Sequence, residues 1–255
     1  MSPRLRFALD AVRKAGQSTL EHFQSGVAVE YKNDSSPVTI ADKNAEQILR
    51  DAINAQYPGE TILGEEQGLT GTGETRWIID PIDGTKSFIC GVPLYATLLS
   101  YEIDGVPQLG VSYFPALDEM VYAERRQGCF MNDKQVRVTS RNSTKGSFLA
   151  CGGPNSMVKY GRWKPFEELS AHAIATRTWS DAYGHCLVAT GRVDAMIDPV
   201  VSRWDLSAIA IIVEEAGGRF TDFKGGNPFE KGDFGLEAIS SNGHIHDELL
   251  RVYAV

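Results

Sequence analysis

Trp77-Ile78-Ile79-Asp80-Pro81-Ile82-Asp83-Gly84-Thr85-Lys86-Ser87-Phe88 joins an apolar run to two acids and a turn. Trp77 to Ile79 reads as a short strand that delivers Asp80 at its end. Pro81 has no N–H to give to a ladder and helps turn the chain, which brings Asp83 back toward Asp80 and leaves the Ile82 carbonyl free. Two carboxylates and one carbonyl make a hard-oxygen set suited to Mg²⁺. Gly84 lets the backbone approach a ligand, and the N–H groups of a helix starting after Thr85 can hold a phosphate. The same residues also fit an Asp-Pro turn with an Asx-type cap and no metal, so acids elsewhere must decide.

Two further acidic positions bear on that choice. Glu65-Glu66 follows a strand-like run, Thr61 to Leu63, and adjacent acids there repel one another unless a cation or solvent compensates. Asp205 follows Trp204 at the start of a stretch with apolar Leu206, Ile209, Ile212, Val213 and Ala216, joined by Ala210 and Ile211. That pattern predicts a helix buried on several sides. Taken singly, Asp205 reads as an N-cap favoured by the helix dipole. Taken with Glu65, Asp80 and Asp83 it reads as a further metal ligand, and the two roles are compatible.

Outward from this centre, Leu5, Ala8, Leu9, Val12, Ala15, Leu20 and Phe23 predict an amphipathic first helix. A second helix follows Pro37. Thr39 and Asp42 have capping-box spacing, Ala45, Ile48, Leu49, Ala52 and Ile53 supply the apolar face, and Pro58-Gly59 ends it. Residues 67–76, polar and Gly-rich, read as a mobile surface loop. From Tyr95 to Val138, β-rich runs broken at Asp104-Gly105, Pro115 and Gly128 predict an antiparallel meander. After the polar stretch Ser140 to Gly146, strand-like runs at Phe148 to Cys151, Ala173 to Thr176, Asp194 to Ile197 and Glu237 to Ser240 alternate with helical stretches near 155–171, 183–190, 205–216 and 244–253. The first half therefore predicts helices on an antiparallel sheet and the second a layered α/β unit. The division falls near residue 140, into an N-terminal subdomain (1–140) with most candidate ligands and a C-terminal subdomain (141–255) with Asp205 and the specificity residues.

The 255 residues carry a net charge of −8, which argues against nonspecific nucleic-acid or anionic-membrane binding. No apolar run approaches the roughly 20 residues needed to span a membrane. The N-terminal MSPRLRFALDAVRKAG has charges scattered through it and no signal-peptide core. Cys90, Cys129, Cys151 and Cys186 form no CxxC pair and each reads as a small buried hydrophobe, which suits a reducing compartment. The expectation is a soluble cytoplasmic protein.

In their order and spacing, Gly64-Glu65-Glu66, the segment Asp80 to Thr85, and Trp204-Asp205 with Glu214-Glu215-Ala216-Gly217-Gly218 resemble the inositol monophosphatase superfamily of Mg²⁺-dependent phosphomonoesterases. Weaker similarity, at Ser36 to Asp42 and at Val188-Ala189-Thr190-Gly191, covers nearly the whole chain. The resemblance implies an α+β fold, a layered αβαβα sandwich, with two or three Mg²⁺ per active site and a homodimeric assembly. It implies that Glu65, Asp80 and the Ile82 carbonyl hold one Mg²⁺ and that Asp80, Asp83 and Asp205 hold a second. Thr85, hydrogen-bonded to Asp42, would work with Glu65 to position and activate the attacking water. Glu66 would stand behind the ligands.

The alcohol must be recognised farther from the metals. Asp83, Gly84 and Thr85 would face the phosphate, while Arg177 to Gly184 and Asp198-Pro199 fall where family members contact the leaving group, making Arg177, Ser180, Asp181 and Asp198 candidates. Asp181 equally fits a surface-loop acid, and Arg177 either faces the phosphate or supports the loop. Inositol-specific members tend to carry a small uncharged residue at Asp181 and Asn near Lys86-Ser87. Asp-Gly-Thr-Lys-Ser-Phe and Ser241-Asn242-Gly243-His244 with His246-Asp247 instead resemble the histidinol-phosphatase branch. That branch often shows a Gly-Asp-Cys-Tyr-type segment where this chain has Ser180-Asp181-Ala182-Tyr183. Extra carboxylates beside the leaving group suit a cationic alcohol such as histidinol better than neutral inositol. The expected reaction is hydrolysis of L-histidinol phosphate in histidine biosynthesis, with inositol 1-phosphate and then a nucleotide 3′-phosphate as alternatives. A non-catalytic relative that keeps the fold is the rival of another class, and the complete ligand set argues against it. Of the histidines, His22 and His172 read as helix-surface residues, His244 and His246 as caps, and His185 as near the pocket. No Ser-His-Asp or dinucleotide motif competes.

Overall fold

Leu5, Ala8, Val12 and Ala15 form the buried stripe of α1 (Pro3–Thr19), whose N-cap Ser2 accepts the Leu5 N–H. A hairpin of β1 (Val29–Tyr31) and β2 (Pro37–Thr39) leads into α2 (Ile40–Gln56), where Thr39 and Asp42 form the expected capping box. The computed structural model describes residues 1–254. The chain then builds β3 (Thr61–Gly64), β4 (Gly68–Thr70), β5 (Thr75–Asp83), the short α3 (Thr85–Ile89), β6 (Ala96–Ile103), β7 (Val106–Phe114), β8 (Glu119–Glu124), β9 (Gly128–Met131) and β10 (Lys134–Val136). These strands make one eight-stranded sheet in the order β10-β9-β8-β7-β6-β5-β3-β4.

The second half supplies β11 (Phe148–Cys151), α4 (Pro154–Lys159), α5 (Trp163–Ser170), β12 (Ala175–Arg177), α6 (Asp181–Ala189), β13 (Ala195–Val201), α7 (Arg203–Glu215), β14 (Arg219–Thr221), β15 (Leu236–Ser241) and α8 (His246–Tyr253). Its five strands are ordered β12-β11-β13-β15-β14, with β11 parallel to both neighbours and β15 antiparallel to both of its own.

Strand alternation fixes the layers. Trp77, Ile79, Leu99 and Val111 face α1 and α2, whereas Leu98, Phe114 and Val121 on the other face pack with α6 and α7. Leu236 and Ala238 of the five-stranded sheet meet the same two helices, while Leu149, Ile197 and Ile239 turn to α5 and α8 on its outer face. The result is an α+β sandwich layered αβαβα. Ile209 and Ile212 of α7 are fully buried between the sheets, each such burial contributing roughly 2–3 kcal/mol. Gly110 of β7 has no room for a Cβ against the Ala208 backbone, so α7 lies directly on the strand.

Several expectations change. The first sheet is not wholly antiparallel, because β3 and β5 run parallel. Part of the expected 67–76 loop is edge strand β4, whose backbone pairs with β3. The helix expected at 155–171 is two, interrupted at Tyr160-Gly161, where Gly161 takes a positive φ. Cys90 is exposed, unlike the other three cysteines. His22 and His172 lie just past the ends of α1 and α5 rather than on them. His246 does not cap α8, since its buried ring bonds the Ser241 and Thr221 hydroxyls, both at 2.8 Å, and the Asn242 side chain takes the His244 and Ile245 N–H groups. No helix among the described residues is long and apolar enough to cross a membrane.

Candidate active site

Parallel pairing sets Gly64 opposite Ile79, so β3 and β5 bring their C-terminal ends to one edge of the sheet. The Glu65 N–H donates to the Ile79 carbonyl at 3.2 Å, which sets Glu65 beside Asp80. Behind it, buried Glu46 of α2 accepts the N–H groups of Glu66 at 2.7 Å and Gln67 at 3.0 Å and fixes the turn.

The strand does not turn back at Pro81, as the sequence suggested, but continues through a bulge to Asp83. Asp80 pairs with Leu98 and Asp83 with Ala96, with a register shift between them. Leu98 and Ala96, two residues apart, share a face, so the shift brings both aspartates onto that face; in an unbroken strand they would point apart. Pro81 has no ladder N–H to lose, and its carbonyl accepts from Thr97 Oγ1 at 2.8 Å.

Asp205 approaches from α7. The helix begins at Arg203, so Asp205 is not its N-cap: Ser202 holds that position, and Asp205 Oδ2 accepts the Ser202 N–H at 2.5 Å. One oxygen from each of Asp80, Asp83 and Asp205 lies within 4.8 Å of the others.

This cluster is costly by itself. Asp80 is 1% exposed, and neither carboxylate oxygen has a hydrogen-bond donor. Burial, then the charges of Glu65, Asp83 and Asp205, raise its pKa well above the ordinary value. Asp83 is raised in the same way by burial and by Asp181 and Asp205, although its Oδ2 accepts the Ala182 N–H at 2.7 Å. Burial pushes Asp205 up to about 7. Burial and Asp205 push Glu65 up to about 7, and burial pushes Glu66 to about 7. Lys32, in the β1–β2 turn, pairs with Glu65 Oε1 at 2.8 Å and Glu66 Oε1 at 2.7 Å. Three aspartates of like charge with no cationic partner, Asp80 and Asp83 buried and Asp205 half-buried, fit a hard divalent cation, which would remove the repulsion.

Thr85 begins α3 after Gly84, whose φ of 80° is left-handed. Its Oγ1 donates to the Ile82 carbonyl at 3.0 Å and reaches Asp42 Oδ1 at 3.4 Å. Asp42 divides its oxygens: Oδ2 takes the Thr39 N–H and hydroxyl at 2.7 and 2.6 Å, and Oδ1 faces Thr85. Burial raises its pKa.

The acidic cluster lines a cavity of about 270 Å³, and the same cavity is also lined by Ser180, Asp181, His185 and Asp198. Asp181 is pushed up to about 6 by burial and by Asp198, and Asp198 to about 7 by burial. A Cβ on Gly84 would meet Asp181 Oδ2 at 3.1 Å and one on Gly152 would meet Asp198 Oδ1 at 2.8 Å, so two glycines make room for these acids. Ser180 Oγ donates to Asp181 Oδ2 at 3.2 Å. Arg177 stays outside: its exposed side chain donates to the Thr176 carbonyl and does not line the cavity.

The chain matches the inositol monophosphatase family over residues 1–253. It belongs to that family. A histidinol-phosphatase of Chlorobaculum parvum is 41% identical over 246 residues, covering 95% of each chain. A Thermotoga maritima fructose-1,6-bisphosphatase/inositol-1-monophosphatase is 37% identical over 251 residues, covering 98% of this chain and 95% of the relative. The solved structure of a Thermotoga maritima IMPase superposes with a TM-score of 0.90 at 34% identity, over 99% of this chain and 97% of that one. As a member of the inositol monophosphatase family, a metal-dependent one, the chain is a phosphoric monoester hydrolase.

Within this family member, sequence reasoning missed Lys32, Glu46 and Gly152. Lys32 sits in a polar turn, and only the hairpin's return onto the β3 end brings it to Glu65. Glu46 had a local signal, an acid amid the apolar stripe of α2, where Ala45 and Leu49 are buried beside it.

Proposed function

We propose that this protein hydrolyses L-histidinol phosphate to L-histidinol and phosphate with Mg²⁺, as a step of histidine biosynthesis. The observation that carries this reading is a second pair of acids, half-buried Asp181 and buried Asp198, lining the same cavity as the Asp80-Asp83-Asp205 cluster. Two carboxylates there suit a leaving alcohol that bears a protonated amine and an imidazole, which they can pair with as ions, whereas a neutral polyol would use them only as hydrogen-bond acceptors. Identity to a histidinol-phosphatase over nearly the full chain supports the same assignment.

Glu65, Asp80 and the Ile82 carbonyl would hold one Mg²⁺, and Asp80, Asp83 and Asp205 a second. When bound, the ions supply positive charge for the phosphate and acidify the attacking water. Lys32 takes Glu65 Oε1, which leaves Oε2 for the ion. Thr85 Oγ1 orients the water, with Asp42 Oδ1 behind it as proton acceptor. Gly84 and Thr85, beside Asp83, offer backbone N–H groups to the phosphate. Ser180 positions Asp181, and Asp181 and Asp198 bind the cationic end of the alcohol. Glu66 shares Lys32 with Glu65 and so supports it from behind. We also read the protein as a homodimer, on family resemblance, which light scattering after gel filtration tests.

The similarity to the Thermotoga relative makes inositol 1-phosphate the competing substrate. Phosphate release from histidinol phosphate, inositol 1-phosphate and a nucleoside 3′-phosphate, with Mg²⁺ and with EDTA, decides between them. The histidinol ester is expected to turn over fastest and only with Mg²⁺. Equal or faster release from inositol 1-phosphate sinks the assignment.

A further inference from the structure

His185 is 1% exposed, lines the cavity, and has a role in neither the acidic cluster nor the Thr85–Asp42 pair. Its Nδ1 lies 2.5 Å from the hydroxyl of Ser240, a fully buried residue of β15. Its Nε2 has no hydrogen-bond partner and lies 3.9 Å from Asp198 Oδ2. Burial holds the ring neutral, with its pKa pushed down to about 3, so one nitrogen carries a proton and the other a lone pair.

The Ser240 hydroxyl decides which. Its proton has no other acceptor among the described contacts, so giving it to Nδ1 satisfies both groups and leaves the ring proton on Nε2. The opposite tautomer would strand the serine proton in the core as well as leave Nε2 without a donor. An N–H on α6 therefore lies 3.9 Å from Asp198 Oδ2, slightly beyond direct hydrogen-bond range, and a shift of less than an ångström completes the contact.

We propose that His185, with its tautomer set by Ser240, is a positioning residue that fixes the Asp198 carboxylate against the alcohol of the substrate. The inference rests on the reading that Asp198 faces the leaving group. It requires the β15 layer to take part in specificity through a chain from Ser240 to His185 to Asp198. Asp198 then meets its ligand in one orientation and does not sample several.

Two near-isosteric substitutions separate the ring's two ends. His185→Gln keeps an N–H near the Nε2 position, whereas His185→Asn keeps only the Ser240 side. The expected result is that His185→Asn raises KM for histidinol phosphate about tenfold, the scale of one hydrogen bond to a charged group, with kcat within about twofold, and that His185→Gln restores most of the loss. Asn and Gln variants behaving alike would overturn the proposal, as would a fall in kcat at unchanged KM. If wild type shows no preference for histidinol phosphate over inositol 1-phosphate, the substrate assignment fails by itself. His185 is then judged on the inositol ester by the same comparison, where a difference between Asn and Gln supports the proposal and equality ends it. Nitrogen-15 spectra of the wild-type imidazole give an answer that needs no variant: protonated Nε2 with bare Nδ1 is expected, and the reverse tautomer would refute it.

Discussion

Asp80 shows how one side chain sets the behaviour of its neighbours. With no donor on either oxygen and three acids around it, it is the residue whose charge the metal-free protein tolerates least. Asp80→Asn removes that charge at nearly constant shape. Relief of about 1 kcal/mol should raise the Tm of the metal-free protein by roughly 2–4 °C, while the further rise on adding Mg²⁺ disappears; calorimetry in EDTA and in Mg²⁺ checks both. Asp83→Asn should abolish phosphate release with the far-ultraviolet circular dichroism unchanged, and unchanged release would remove this site from consideration. The acids also fix a pH dependence. Glu65, Asp198 and Asp205 are pushed up to about 7 and Asp181 to about 6, against roughly 4 in the unfolded chain. Between those limits the native state holds protons that the unfolded state has released, so these groups make metal-free stability fall as pH rises from about 4 to about 7. Mg²⁺ needs Glu65 and Asp205 deprotonated, so its affinity should weaken as pH falls below about 7. Thermal melts across pH 4–8, with and without Mg²⁺, should therefore diverge most at the alkaline end.

At the scale of elements, what was legible is what is local. The Thr39–Asp42 capping box and the apolar stripe of α1 depend on residues three or four apart; the box stands as read, and the stripe stands from Leu5 to Ala15 but not at Leu20 and Phe23, which lie past the helix end at Thr19. The path after Asp80 depends on something farther away. A tight turn and a bulge have the same Asp-Pro composition, and only the pairing to Ala96 and Leu98 distinguishes them. Parallel pairing of β3 with β5 is equally invisible in the sequence, since β4 lies between them in the chain and outside them in the sheet. The start of α7 shows a third limit: the apolar pattern begins at Leu206, but Arg203 is already in the helix, bonded through Nε to buried Glu102 at 3.0 and 3.1 Å. Glu102 also takes Arg76 at 2.9 Å and the Ser207 hydroxyl at 2.7 Å, so β6 holds the helix turn that carries Asp205. Arg203→Met leaves that carboxylate short of charge and should cost about 3 kcal/mol in urea unfolding, together with a weaker response to Mg²⁺ in the same titration.

In the whole molecule, α7 belongs by sequence to the second half yet packs on both large sheets, and the acidic cluster takes Asp80 and Asp83 from one half and Asp205 from the other. The family signature was legible because its motifs are contiguous, and so were the candidate ligands. Lys32 and Glu46, by contrast, reach the site only through tertiary folding. The bulge at Pro81 bears finally on heredity. Losing one residue between Asp80 and Asp83 would leave two aspartates on one face of a regular strand, but would draw Thr85 back by roughly 3.3 Å, as far as the whole 3.4 Å span that now separates its hydroxyl from Asp42. Descendants of this chain can exchange side chains at positions 81 and 82 more readily than they can alter the number of residues there, so at this bend length is the inherited trait.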